Sequence, residues 1–92
     1  MKGRRSEINI LHDILQLIEK KGGVAKPTHI LYGANLSYKR MVGYLEFLEE
    51  KDFIEKVEKS GKTAYKTTDK GKRFLLEFRK VEELSSAFGI GL

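Results

Sequence analysis

The sequence has no cysteine, no tryptophan, one proline and only two histidines. Without cysteine there is no disulfide, no thiolate nucleophile and no Cys-ligated zinc. His12 and His29 lack a third ligand at metal spacing, so no metal site is expected, and each reads as a surface or partly buried histidine. No apolar run approaches the roughly 18–20 residues of a membrane-spanning helix. Lys2, Arg4 and Arg5 precede an apolar stretch, but His12, Asp13 and Gln16 interrupt it, so it is not the core of a secretion signal. These absences point to the cytoplasm and away from the membrane. One proline and nine glycines also argue against a low-complexity or disordered chain.

What is present is charge and a modest apolar complement. Ninety-two residues allow one domain, which buries roughly 60–65% of its unfolded surface. Apolar residues make up 40% and charged residues 34%. The net charge of +5 favours an anionic partner, nucleic acid before membrane surface.

Residues from about Ser6 to Lys20 have helical periodicity. Ile8, Leu11, Leu15 and Ile18 form the expected core stripe, widened by Ile14 and Leu17. Ser6 is a cap, and Gly22-Gly23 is a break. Val24-Ala25 reads as a short extended piece, because Lys26 precedes Pro27 and is pushed toward β. Pro27 suits the first turn of a second helix through about Tyr32. Gly33-Ala34-Asn35 is a tight turn, and a third helix runs from about Ser37 to Lys51, capped by Asn35 or Ser37, with Met41, Leu45 and Leu48 inward. Phe53–Glu58 and Thr63–Thr67 have strand character around the turn cluster Lys59–Lys62. Thr68 or Asp69 caps a last helix with Phe74, Leu75, Phe78, Val81 and Leu84 on its apolar side. Ser85 and Ser86 weaken that helix, and Phe88–Leu92 reads as a frayed tail.

This order (helix, short strand, two helices, two-stranded wing, C-terminal helix) is that of an α+β, mostly α, winged helix-turn-helix. The expected organisation is a basic arm at 1–5, the winged helix-turn-helix at 6–67, and a C-terminal helix at 68–92 that can pair two copies. The arm is either solvated or an auxiliary phosphate contact.

Charge is sorted along the chain. Lys20 to Tyr44 holds five basic residues and no acid. Leu45 to Glu55 holds five acids against Lys51 alone, and Lys56 to Arg73 is again +5. In a winged helix the two basic segments approach a duplex and the acidic half of helix three points away. Ser37, Tyr38, Lys39 and Arg40 lie in the first turn of helix three, the part that meets base edges and phosphates in this geometry. Arg40 suits a bidentate contact to guanine and Lys39 a phosphate. Gly43 costs about 1 kcal/mol relative to Ala inside a helix. It permits either close approach of DNA or close packing against helix two or the wing. Tyr38 and Tyr44 either bond phosphates or cover the core. The wing tip offers Lys59, Lys62 and Lys66, and Lys26 adds a phosphate contact.

Other motifs fail. Gly61-Lys62-Thr63 resembles the end of a phosphate-binding loop, but Lys56 stands where that motif needs glycine. Asn35-Leu36-Ser37 is a glycosylation sequon by letter only. Glu49-Glu50 and Glu82-Glu83 are adjacent pairs that diverge on a helix and make no acid/base couple. No nucleophile–base constellation is visible, so neither catalysis, a cofactor nor a small-molecule substrate is expected.

The run Tyr32-Gly33-Ala34-Asn35-Leu36-Ser37-Tyr38 resembles the helix-turn-helix signature of the small basic archaeal winged-helix proteins typified by the Sulfolobus 10 kDa chromatin protein family. The Glu7-Ile8 start, Tyr44-Leu45 through Leu48, and Tyr65 through Gly71 are similar too, so the resemblance covers about residues 4–80. It implies a nucleoid-associated binder of double-stranded DNA and a homodimer built by an antiparallel coiled coil of C-terminal helices. Two departures stand out. The last helix here has about three heptads at best, whereas the family's is long. Asp52 stands where many winged helices place glycine, so that corner is expected to be strained or differently shaped.

Two functions remain open at this level. One is a DNA-binding regulator or chromatin-like protein. The other is a docking module that uses the acidic half of helix three and the apolar last helix.

Overall fold

A computed structural model describes residues 6–90; the basic arm at 1–5 and the end of the expected tail at 91–92 lie outside the described residues. The elements are α1 (Glu7–Lys20), β1 (Val24–Ala25), α2 (Pro27–Gly33), α3 (Tyr38–Glu50), β2 (Ile54–Lys59), β3 (Lys62–Thr67) and α4 (Asp69–Ala87). The three strands form one antiparallel sheet in the order β1-β3-β2. Mostly helical, with a hairpin after α3, this is the winged helix-turn-helix that the sequence order implied.

α1 is the central helix and packs on α2, α4 and β3. The Ser6 hydroxyl accepts from the Asn9 N–H at 3.3 Å and caps it. Its buried side is Ile10, Ile14, Leu15 and Ile18, which corrects the expected stripe. Ile8 is 50% exposed and Leu11 only half-buried, whereas Ile10 is in the core. Two apolar lines run along this helix, and the start of α1 faces an open cleft toward α3. Packing, not periodicity, selects the line that is buried.

Pro27 opens α2, and Lys26 before it is extended, as proline requires. The Ser37 hydroxyl, not Asn35, caps α3 by accepting from the Arg40 N–H at 3.2 Å. Met41, Leu45 and Leu48 face the core as expected. The wing strands reach one residue further toward the tip than the composition suggested. Lys59 and Lys62 form the last pair, and Ser60-Gly61 alone makes the turn, both at positive φ. Such two-residue turns match the twist of the flanking strands.

The corner after α3 keeps its left-handed shape despite lacking glycine. Asp52 has φ 65°, a conformation Asp tolerates better than most residues. The Phe53 N–H returns to the Leu48 carbonyl at 2.8 Å. The Thr68 hydroxyl donates to the Asp52 carbonyl at 2.6 Å and accepts from the Gly71 N–H at 3.1 Å, capping α4. The Thr68 N–H donates to the Phe53 carbonyl at 3.0 Å.

α4 runs through Ser85 and Ser86 to Ala87, and its end is not frayed through Ile90. Gly89 takes φ 68°, and the Ile90 N–H returns to the Ser85 carbonyl at 2.8 Å. A left-handed glycine just past a helix lets later amides satisfy the last carbonyls. Phe78 stacks on His12 with ring centroids 4.2 Å apart, tying α4 to α1. His12 is thus partly buried, one of the two readings open for it.

A Cβ on Gly71 would run into the Phe53 carbonyl oxygen and come within 2.7 Å of the Thr67 methyl. Gly71→Ala is therefore expected to cost about 1–3 kcal/mol through overpacking against backbone. Thermal unfolding reads this as a drop of roughly 5–20 °C; an unchanged midpoint would show that the corner is not tight.

Candidate nucleic-acid interface

The first turn of α3 is presented to solvent. Tyr38 is 71% exposed, and Lys39 and Arg40 are exposed beside it. The Arg40 guanidinium donates to the Tyr44 hydroxyl at 3.3 Å and lies 5.8 Å from its ring centre. Tyr44 thus holds Arg40 along the helix while its ring packs against the core, the second of the two readings open for it. The first N–H groups of a helix have no intrahelical acceptor, so this end combines two cationic side chains with outward-facing amides.

The charge on α3 runs against its own dipole. α1 carries Glu7 in its first turn and Lys20 in its last, the arrangement that helices favour, whereas α4 starts with Asp69 but has no base in its last turn. α3 has no acid in its first turn and no base in its last. Lys39 and Arg40 stand at the positive end, and Glu49 and Glu50 at the negative end. Each such placement costs about 0.3–1 kcal/mol at a surface. An anion held at the start of α3 converts the same arrangement into a favourable one.

Gly43 is exposed, and a Cβ there would meet nothing within 4 Å. That rules out close packing against α2 or the wing, the second of its two readings. With Glu7, Leu11, Arg40, Tyr44 and Phe47, Gly43 lines an open cleft of about 370 Å³ between the start of α1 and α3. Pro27 and Tyr38 line one further cleft, so the segment after Lys26 lies beside the start of α3.

Lys59 and Lys62 face each other at the wing tip. Lys66 does not join them there, which corrects the expectation. It pairs with Glu55 four residues down β3, about 13 Å away along the strand. It lines a depression with Asp52, Asp69, Lys70 and Lys72 at the root of the wing. The sequence grouped three lysines by proximity along the chain, whereas the strand rise separates them. Tyr65, on wing strand β3, is buried, and loss of solvent pushes its phenol above the ordinary value.

The five apolar residues expected on α4 also divide. Phe78 is 5% exposed and Phe74 and Leu75 are half-buried against the chain's own core, whereas Val81 and Leu84 face outward. Leu76 and Phe88, which the pattern did not single out, are 54% and 71% exposed. No group of acids and histidines suited to a metal occurs among the described residues, and no helix among them is long and apolar enough to cross a membrane.

A family model described as winged helix-turn-helix matches residues 4–86. Two curated relatives are uncharacterized proteins of the archaeon Methanocaldococcus jannaschii. MJ0287 is 29% identical over 84 residues, which cover 91% of this chain and 80% of that protein. MJ0290 is 36% identical over 81 residues, 88% of this chain, which spans about a third (34%) of that protein's length. Among solved structures, Sso10a-2, a DNA-binding protein from Sulfolobus solfataricus, is similar with a TM-score of 0.74 at 29% identity. The match covers 92% of this chain and 90% of that one.

Because the space at Gly43 is open, Gly43→Ala is expected to raise stability by about 0.5–1 kcal/mol. Denaturant unfolding checks it; a destabilised variant would mean that α3 uses the bare backbone for a contact within the fold.

Proposed function

The chain belongs to the winged helix-turn-helix family, and from that premise we propose that it binds double-stranded DNA as a homodimer. Its role is that of a transcriptional regulator or a chromatin-like architectural protein of the cytoplasmic nucleoid. The observation that carries this reading is α3, whose cationic residues occupy the helix end that already attracts anions. Ser37, Tyr38, Lys39 and Arg40 enter the major groove, with Arg40 held in place by Tyr44. Gly43 keeps the next turn of α3 open to the duplex. Lys26 and the wing lysines Lys59 and Lys62 meet phosphates, which set position rather than sequence. Lys66, at the wing root opposite Glu55, contributes least. The mechanism is binding, without catalysis or a cofactor. Sso10a-2 is a DNA-binding protein by its own description, which agrees with this reading.

A second copy covers the outward side of α4. Val81, Leu84 and Phe88 recur at i, i+3 and i+7 and are 47%, 59% and 71% exposed, the spacing of a coiled-coil seam. Phe74, Leu75 and Phe78 serve mainly to seat that helix on its own domain. Two copies joined this way present two α3 helices to separated stretches of one duplex.

Fluorescence anisotropy with a labelled duplex of about 24 base pairs, long enough for two half-sites, tests the DNA reading. Affinity is expected to fall steeply with salt, and Lys39→Ala/Arg40→Ala to weaken binding about 10- to 100-fold. If the parent does not bind at low salt, or the double variant binds equally well, α3 is not the reading head and a docking role takes its place. Val81→Glu/Leu84→Glu is expected to shift sedimentation from dimer to monomer and to weaken DNA binding through lost avidity. A variant that sediments like the parent would exclude α4 as the seam.

A further inference from the structure

The four tyrosines divide into two pairs. Tyr65 is buried, and Tyr44 is half-buried with its hydroxyl engaged by Arg40. Tyr32 and Tyr38 are 79% and 71% exposed and stand on either side of the turn between α2 and α3. Tyr38 belongs to the helix already assigned to the groove. Tyr32 lies in the last turn of α2, and neither charge nor helical pattern singled it out.

Its backbone is firmly held. The Ile30 carbonyl accepts from Ala34 at 2.9 Å, the Leu31 carbonyl from Leu36 at 3.0 Å, and the Tyr32 carbonyl from Asn35 at 3.3 Å. Next to it, the bare Cα of Gly33 sits so close to Leu17 that a Cβ would come within 2.6 Å of a methyl. The end of α2 is thereby pressed onto α1, and Tyr32 stands outward on a rigid base. Its hydroxyl has no hydrogen-bond partner among the described residues. No acid occurs between Lys20 and Tyr44 along the chain, and where Asp13 of α1 shares a depression with Gly33, Lys20 lines it too.

From these observations, and resting on the DNA-binding reading above, we infer that Tyr32 is a further duplex-contacting residue. Its phenol donates a hydrogen bond to a phosphate oxygen beside the groove that α3 enters. An O–H···O⁻ bond of this kind is short and charge-assisted. It carries no sequence information, so its role is to fix the register of α3 on the duplex. Being neutral, the phenol displaces no counterion, which separates its signature from that of the lysines.

Tyr32→Phe removes the hydroxyl and keeps the ring, and Tyr32→Ala removes both. Because the side chain is solvent-exposed, both variants are expected to retain the parent's unfolding temperature. Anisotropy titrations on two duplexes of unrelated sequence, each at several salt concentrations, are expected to show Tyr32→Phe binding about three- to tenfold more weakly. The loss should be equal on both duplexes, matched by Tyr32→Ala, and should leave the salt slope unchanged. A Tyr32→Phe variant that binds like the parent overturns the inference. If Tyr32→Ala alone is weak, the ring rather than the hydroxyl makes the contact, which also overturns it. A parent that binds neither duplex overturns the DNA reading along with it, whereas a salt-steep parent matched by Tyr32→Phe removes this inference alone.

Discussion

One residue, Thr68, ties together the parts of this fold. Its N–H holds the Phe53 carbonyl, its hydroxyl donates to the Asp52 carbonyl, and the same oxygen caps α4 through Gly71. The end of α3, the root of the wing and the start of α4 are therefore fixed at one point. The Lys70 ammonium adds a bond to the Lys51 carbonyl at 2.9 Å. The arrangement demands a glycine at 71, because the Phe53 carbonyl occupies the space that any Cβ would need. From this corner α4 runs back over α1, where Phe78 stacks on His12. The wing strands diverge the other way, to the Ser60-Gly61 turn.

The corner fixes the far end of α3, and the charge along α3 runs against its dipole. Ser37 satisfies one amide at its start, leaving others outward beside Lys39 and Arg40. The acids gather at the far end, next to the Asp52 corner. α1 is arranged the opposite way. A binding surface that opposes folding electrostatics is a common signature of function, since local rules give way where a ligand compensates. Gly43 fits the same pattern, as a helix position with room for a side chain that carries none.

Much of the fold was legible because its punctuation is local. Gly22-Gly23, Pro27 and the Ser37 and Thr68 caps act on their own neighbours, so the sequence marks the two breaks and narrows each cap to two residues. Ile8 and Ile10 were exchanged because both fit a helical stripe, and only the placement of the surrounding elements decides between them. Lys66 was grouped with the tip because sequence distance hides strand rise and cross-strand pairing with Glu55. The Arg40–Tyr44 bond shows in the i, i+4 spacing, but the exposure of Arg40 depends on where the other elements lie. Tyr32 opens the helix-turn-helix run but carries no charge and breaks no pattern, so its exposure and its idle hydroxyl are what mark it as a contact. On α4 the apolar residues were identified, but their division between domain and outer surface depends on where α1 lies.

The most direct test of the central claim is an amide-resolved NMR titration of the chain with an unlabelled duplex at low salt. The account predicts that the largest shifts fall on Ser37 to Arg40 and on the Ser60-Gly61 tip, with Glu46 to Glu50 nearly unmoved. Shifts confined to the acidic half of α3 or to the outer side of α4, or no shifts at all, would contradict it.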